Sequence, residues 1–354
     1  MTGPEGCPGR GVSMDATGGR ARRLVWTGGV VGLALLVWTL PASAGLVSGP
    51  GTVPLGRPHM ASTPAGLRVA AGPYSGHIGI SADGVGMYLS STGFVSVKIH
   101  DPNSTILVAL LYSKTNSYNT ISQIGFNGQV VPLTFVPGDE PLCCPDFFPT
   151  YRADVTDIVA QAIGSGSGVY DFMVDESMAG VDNSAIDGEA LYVVYQDDAL
   201  PNREVYLYEG GVTSATPEDV SVPLLTPYAG GPAKMSIGDS YSTEECPPGS
   251  GQYTVITLEG QTVSNCAGGW DDGDSLNNGA LITVGGLGDD FYNPAAGGKD
   301  DEKYNIAQFI PNGETILDLT FANPSDDDSV FVLAVGITMP TSLPGRLADA
   351  GLFS

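Results

Sequence analysis

Apolar and polar positions alternate in short, strand-length runs from about Gly66 onward. Val95-Ser96-Val97-Lys98-Ile99 has period two and predicts a half-buried strand. Ile106 to Tyr112 (ILVALLY) is apolar on both faces, the pattern of a central strand covered on both sides. In Ile124 to Val131, Asn127-Gly128 separates two apolar arms, a strong short-range hairpin signal. Gly188 to Tyr195 and Glu204 to Tyr208 read as another strand pair. Further strands are expected at Tyr253 to Leu258, Ala280 to Val284, Ile316 to Phe321 and Val330 to Ile337. One segment has helical spacing. Between Asp154, a capping residue, and Gly164, a stop, Val155, Ile158, Val159 and Ile163 share a face. With Tyr228-Ala229-Gly230-Gly231-Pro232 as an interdomain turn, the pattern predicts an all-β protein. It would comprise two jelly-roll-like antiparallel β-sandwich domains, residues 66–226 and 227–340, with at most one short helix and a tail over 341–354.

Upstream, Arg20-Ala21-Arg22-Arg23 precedes a short apolar core, a break at Pro41 and the small-residue end Ala42-Ser43-Ala44. That order is a secretory signal peptide over residues 1–44. Its apolar core, Val30 to Leu40, is shorter than the roughly 20 residues a membrane span needs. A Pro/Gly-rich leader over 45–65 follows. The expected location is secreted, extracellular or at a cell surface, with no membrane insertion after cleavage. The residues after Met339 offer neither a hydrophobic segment nor a basic stop, so release or retention by partners is expected.

Charge narrows the partners. The chain has 14 Lys and Arg against 39 Asp and Glu. Four Arg and two acids fall within the first 44 residues, leaving 10 basic against 37 acidic and a formal charge of about −27. Such a surface repels phosphate backbones, which argues against nucleic-acid binding. Mature cysteines number four: Cys143, Cys144, Cys246 and Cys266, an even set suited to an oxidising compartment. Three connectivities are open. Cys246–Cys266 is favoured because it encloses a single hairpin; adjacent Cys143 and Cys144 then bridge each other or find separate partners.

Catalytic signatures are scarce. The mature chain has His59, His77 and His100 only, and no G-x-S-x-G, H-E-x-x-H or phosphate-binding glycine loop. A non-enzymatic protein is expected, with a carboxylate-pair glycoside hydrolase as an open alternative because acid separations are invisible in sequence. Tyr74, Tyr112, Tyr192, Tyr195, Tyr206 and Tyr208 suit either a sugar platform or cross-strand packing. Arg203, at a strand start in an acidic chain, is expected to form a structural ion pair with Asp154. Asp271 to Gly279 (DDGDSLNNG) alternates carboxylates and amides with glycine breaks. Asp272, Asp274 and Asn277, with Asp289 and Asp290 folding beside them, are the candidate Ca²⁺ ligands; the competing reading is solvated turns. Position twelve from Asp272 is Thr283, so the loop is no EF-hand.

Three segments together resemble a group of secreted bacterial β-proteins of unassigned function, often found with C-terminal sorting tails. They are Ala109-Leu110-Leu111-Tyr112, Tyr151-Arg152-Ala153-Asp154-Val155-Thr156, and Asn202 to Gly210 (NREVYLYEG) after the Ala190 to Tyr195 run. The resemblance covers about residues 90–340 and implies two jelly-roll-like sandwiches. It carries no chemistry, and the sorting tail is missing here. The function expected from all of this is a non-enzymatic structural or adhesive extracellular protein, of the kind that serves as a subunit of a surface assembly and binds itself or other surface proteins. The alternative is a calcium-assisted carbohydrate-binding module that binds glycans.

Overall fold

Strands form where the alternating runs stand in a computed structural model that describes residues 66–87, 90–115, 120–138, 149–182, 185–212, 216–240, 253–268, 282–292, 302–324 and 329–340. All belong to one compact unit, Ser62–Ser354. The expected signal peptide, leader and tail lie outside the described residues, and no helix among those described is long and apolar enough to cross a membrane.

In chain order the first nine strands are β1 (Arg68–Gly86), β2 (Thr92–Ile99), β3 (Thr105–Thr115), β4 (Gln123–Phe126), β5 (Gln129–Pro132), β6 (Thr134–Val136), β7 (Thr150–Asp154), β8 (Gly168–Asp175) and β9 (Ile186–Gln196). The helix α1 (Thr156–Ile163) lies between β7 and β8. The other nine strands are β10 (Asn202–Val212), β11 (Glu218–Pro223), β12 (Ala233–Ser240), β13 (Thr254–Leu258), β14 (Gln261–Ala267), β15 (Ile282–Val284), β16 (Lys303–Asn305), β17 (Ile316–Ala322) and β18 (Ser329–Thr338).

The pairing is nested. β1 pairs β9, β2 pairs β8 and β3 pairs β7, all antiparallel. The second half repeats the scheme, with β10 on β18, β11 on β17 and β12 on β15 and β16. First strand with last and second with next-to-last is jelly-roll winding, so the chain is all-β and holds two jelly-roll-like sandwiches. The sheet β2-β8-β4-β5 covers the first and β11-β17-β13-β14 the second.

The seam between the sandwiches departs from the expected one. β10 and β11 open the second sandwich, so the chain crosses over at the turn after β9, near Pro201, and not at 226. Tyr228 to Pro232 is therefore an internal turn of the second sandwich. Nor do β9 and β10 pair with each other. β1 lies between them: Arg68–His77 runs along β10, and Ile78–Gly86 along β9. One ten-stranded sheet thus passes through both halves.

Three apolar layers result. Val95, Leu111, Phe126, Phe172 and Val193 fill the first sandwich. Tyr206, Met235, Leu319, Phe321 and Val335 fill the second. Between them Leu110, Tyr112, Tyr192, Leu207 and Phe331 join the two halves of the long sheet. That third layer explains why Ile106 to Tyr112 is apolar on both faces: Leu111 points into the first layer and Leu110 into the shared one. Val159 and Ile163 of α1 are buried in the first layer, as the helical spacing requires. The helix N-cap is Val155, which offers no side-chain cap, and not Asp154; Asp154, one residue earlier, accepts from the Thr156 backbone N–H at 3.0 Å.

Candidate ligand-binding cleft

The β9–β10 crossover builds one wall of a cleft. Asp197 folds it by accepting from the Ala199 N–H at 2.9 Å, while its own N–H reaches the His77 carbonyl at 2.9 Å. Leu200 and Pro201 then line a cavity of about 640 Å³, a size that suits a small organic ligand. Ile80, Ser81 and Ala82 of β1, Tyr195 of β9, Arg203 of β10, Met235 of β12 and Gly336 of β18 contribute further walls. The cleft is thus lined by strands of both sandwiches. Gly79 permits the Tyr195 ring to lie against β1, since a Cβ there would collide with the ring.

Its electrostatics are opposite to those of the chain. Seven Lys and Arg fall within the described residues. Three have structural partners. Arg68 and Arg152 pair with Glu209 at 3.3 and 2.6 Å, and buried Lys114 donates to Thr150 Oγ1 and Ser329 Oγ at 3.0 and 2.8 Å. The other four, Lys98, Arg203, Lys234 and Lys303, all line the cleft, with His100 beside them. Among the described residues none of these four forms an ion pair with a carboxylate.

Arg203 Nη1 donates to the Ile78 carbonyl at 3.3 Å, and most of its donors find no acceptor among the described residues. Lys303 Nζ is fixed by the Gly286 and Asp289 carbonyls at 3.0 and 2.5 Å. Lys234 and Lys303 stand 4.9 and 5.3 Å from the centroid of the Phe291 ring. Burial lowers the Lys234 pKa, and the positive charges of Arg203 and Lys303 lower it further. An anion seated among these groups would relieve that repulsion.

Asp83, Asp101 and Asp197 are not among the residues that line the cleft. Asp197 Oδ2 lies 3.5 Å from His100 Nδ1, and Asp101 joins them in a small cluster. Asp83 accepts from the Ser96 N–H at 2.5 Å, and burial is the main reason its pKa rises to about 7.

Several expected site residues are placed differently. The Arg203–Asp154 pair does not form: Arg203 turns to a backbone carbonyl in the cleft, while the Asp154 carboxylate is taken by Thr156 N and Oγ1. The ion pair that forms instead joins the three segments that carry the resemblance. Glu209 Oε2 accepts from Arg152 Nη1 and from the Tyr112 hydroxyl, the latter at 3.2 Å. Of the six candidate tyrosines only Tyr195 lines the cleft. Tyr112, Tyr192, Tyr206 and Tyr208 are packed in the cores, and Tyr74 is half-buried against the shared layer.

Asp272, Asp274 and Asn277 lie outside the described residues. Asp289 caps the Gly286 N–H and Asp290 is exposed. Cys266 is buried and disulfide-bonded, and its partner, like Cys143, Cys144 and Cys246, lies outside the described residues.

No family model matches the chain, and no curated protein sequence matches it. Among solved structures, one similar chain is a beta-porphyranase of glycoside hydrolase family 86 from the human gut bacterium Bacteroides plebeius. It is 12% identical with a TM-score of 0.23, over 72% of this chain and 35% of that one. This chain therefore spans about a third of that enzyme's length. Another is the major capsid protein P2 from Bacteriophage PM2, 12% identical with a TM-score of 0.22, over 75% of this chain and 99% of that one. These likenesses are too distant to carry function.

Proposed function

We propose that this chain is an exported, non-enzymatic binding protein whose cleft takes a small organic anion, with acidic saccharides bearing carboxylate or sulfate groups as the ligand class. The observation that carries the reading is the convergence of Lys98, Arg203, Lys234 and Lys303 on one cavity while the chain as a whole is strongly acidic. Cations without carboxylate partners are costly to gather, and a bound anion offsets that cost. Tyr195, Met235 and Pro201 add apolar walls of the kind that pack on a sugar ring. Export rests on the Arg20 to Ala44 signal pattern, and the carbohydrate reading sharpens from glycans in general to acidic ones.

Titration calorimetry with a uronate oligosaccharide, a sulfated oligosaccharide and a neutral one of equal length tests this. The acidic sugars should bind with a salt-dependent affinity, and Arg203→Ala or Lys234→Ala should weaken them about tenfold or more. Equal binding of the neutral sugar, or unchanged affinity in both variants, refutes the reading.

A second reading, self-assembly, draws on the outer face of β2-β8-β4-β5, where Phe94, Val169 and Val130 are each more than half exposed. Light scattering that shows only monomer at high concentration would remove it.

A further inference from the structure

Beside the cleft, two turns meet around a buried carboxylate. Asp197, which folds the crossover after β9, has a side chain only 3% exposed. Its Oδ1 accepts from the Ala199 N–H at 2.9 Å, but no hydrogen-bond donor among the described residues reaches Oδ2. That oxygen is turned toward His100 and Asp101, in the turn between β2 and β3. His100 Nδ1 lies 3.5 Å from it. One ligand atom from each of the three residues falls within 4.8 Å of the other two, so a nitrogen and two carboxylate oxygens converge on one point.

A buried carboxylate oxygen without a donor is costly and calls for a partner. A charged His100 is the simplest one, yet 3.5 Å is well beyond the roughly 2.7–2.9 Å of a charge-assisted N–H···O bond. Two ligands bound about 2.0–2.2 Å from one tetrahedral ion stand about 3.4 Å apart, along an edge of the tetrahedron. The His100–Asp197 separation is therefore that of two ligands, not that of donor and acceptor. Asp101 is half-buried and the His100 side chain is 60% exposed, so both have room to close on the same ion.

We propose that His100, Asp101 and Asp197 hold Zn²⁺, with water in the fourth position, as a site that ties the turn after β2 to the crossover. Three protein ligands and one water form an open zinc site. An imidazole nitrogen suits zinc and is foreign to the all-oxygen sets of Ca²⁺ and Mg²⁺. Two carboxylates balance the charge of the ion, so the site adds no net cation to the basic wall nearby. His100 also lines the cleft, so the ion would fix that part of its rim. The site does not rest on what the cleft binds.

The test uses the purified chain without a polyhistidine tag, stripped with chelator and kept in excess NaCl to screen its general acidity. Zn²⁺, Ca²⁺ and Mg²⁺ are titrated separately, with no saccharide present, and retained metal is measured by elemental analysis after gel filtration. About one Zn²⁺ per chain is expected, held at least tenfold more tightly than Ca²⁺ or Mg²⁺. His100→Ala and Asp101→Asn should each weaken zinc about tenfold or more. His77→Ala should not, because His77 meets the Leu200 carbonyl outside the cluster. Co²⁺ added to the stripped wild type should show the visible absorption of a tetrahedral site, a readout that needs no variant. If a variant fails to fold, the wild-type stoichiometry, metal preference and cobalt spectrum decide alone. No retained zinc overturns the proposal and leaves His100 and Asp197 as an ion pair. Calcium or magnesium held as tightly as zinc, or cobalt without tetrahedral absorption, overturns it too. Full zinc affinity in both variants places the metal elsewhere, and a loss confined to one of them rejects the three-residue set.

Discussion

Glu209→Gln isolates the ion pair that ties the segments of Tyr112, Arg152 and Glu209 to one another in space. Glu209 is nearly enclosed, and its carboxylate accepts from Arg152 Nη1 at 2.6 Å, Arg68 Nη2 at 3.3 Å and the Tyr112 hydroxyl at 3.2 Å. Glutamine keeps the shape and one acceptor oxygen but removes the charge that two guanidinium groups face. Breaking a fully buried pair costs about 3–5 kcal/mol. The side chains of Arg152 and Arg68 are 31% and 47% exposed, so water compensates part of the loss, and about 2 kcal/mol is the expected cost. Unfolding entropy of roughly 2 cal/mol/K per residue, over a unit of about 290 residues, is about 0.6 kcal/mol/K. The melting temperature should therefore fall by about 3 °C in scanning calorimetry. A cycle with Arg152→Met supplies the coupling directly, expected at about 1–2 kcal/mol. A coupling indistinguishable from zero, with additive single effects, would refute the reasoning and leave this contact as surface decoration.

Two further outcomes follow from other sites. Burial raises Asp83 to about 7 in the folded chain, so folding holds its proton more tightly than the unfolded state does. That contribution is complete below about pH 4 and disappears as pH rises through 7, so Asp83→Asn should gain stability relative to wild type between pH 5 and 8, by up to about 4 kcal/mol. Asp239, also raised to about 7, titrates in the same window, so the wild-type-minus-variant difference is the quantity to measure, and a flat difference rejects the assignment. Gly128 has φ +77° beside Asn127 at φ +48° in the β4–β5 hairpin, and Gly128→Ala should lower stability by about 1 kcal/mol in chemical denaturation; no loss would contradict the positive-φ turn.

Fold class was legible wherever one strand carried its own pattern. Val95 to Ile99 alternates because one face meets the first core, and Val330 to Ile337 is continuously apolar because β18 is covered on both faces. The Asn127-Gly128 turn needs only local backbone chemistry and was readable for that reason. Pairing order was not local. β1 includes Gly72, Pro73, Gly76, Gly79, Gly84 and Gly86, a composition that reads as loop, yet it lies between β9 and β10 and pairs with both. Its register slips between Val69 and Ala71 and again between Ala71 and Tyr74, around Gly72 and Pro73, the residues that hide it from a period-two search. Because β1 went unrecognised as a strand, β9 and β10 looked like neighbours and the seam was drawn too late.

The cleft was hidden for a related reason. Lys98, Arg203, Lys234 and Lys303 are far apart in sequence, and only Arg203 stood out by itself, as one half of an ion pair that does not form. Jelly-roll winding gathers β2, β10, β12 and β16 onto the same opening, and only then does their shared sign become a property of the protein. A sequence signal did exist. In a chain this acidic every basic residue has an abundance of carboxylates to choose from, so the informative question is which cations decline the choice. Arg152 and Arg68 take Glu209, a contact that knits strands together. Arg203 stands at the start of β10, just after the crossover, and turns its guanidinium to a backbone carbonyl. Buried acids are handled differently at the far end of the first sandwich, where Glu176 and Glu189 hydrogen-bond each other and burial raises the pKa of both. Cations without a carboxylate partner among the described residues are thus gathered at one opening of the fold, and that gathering is what a structural ion-pair network would have erased and the physical reason to look for a ligand there.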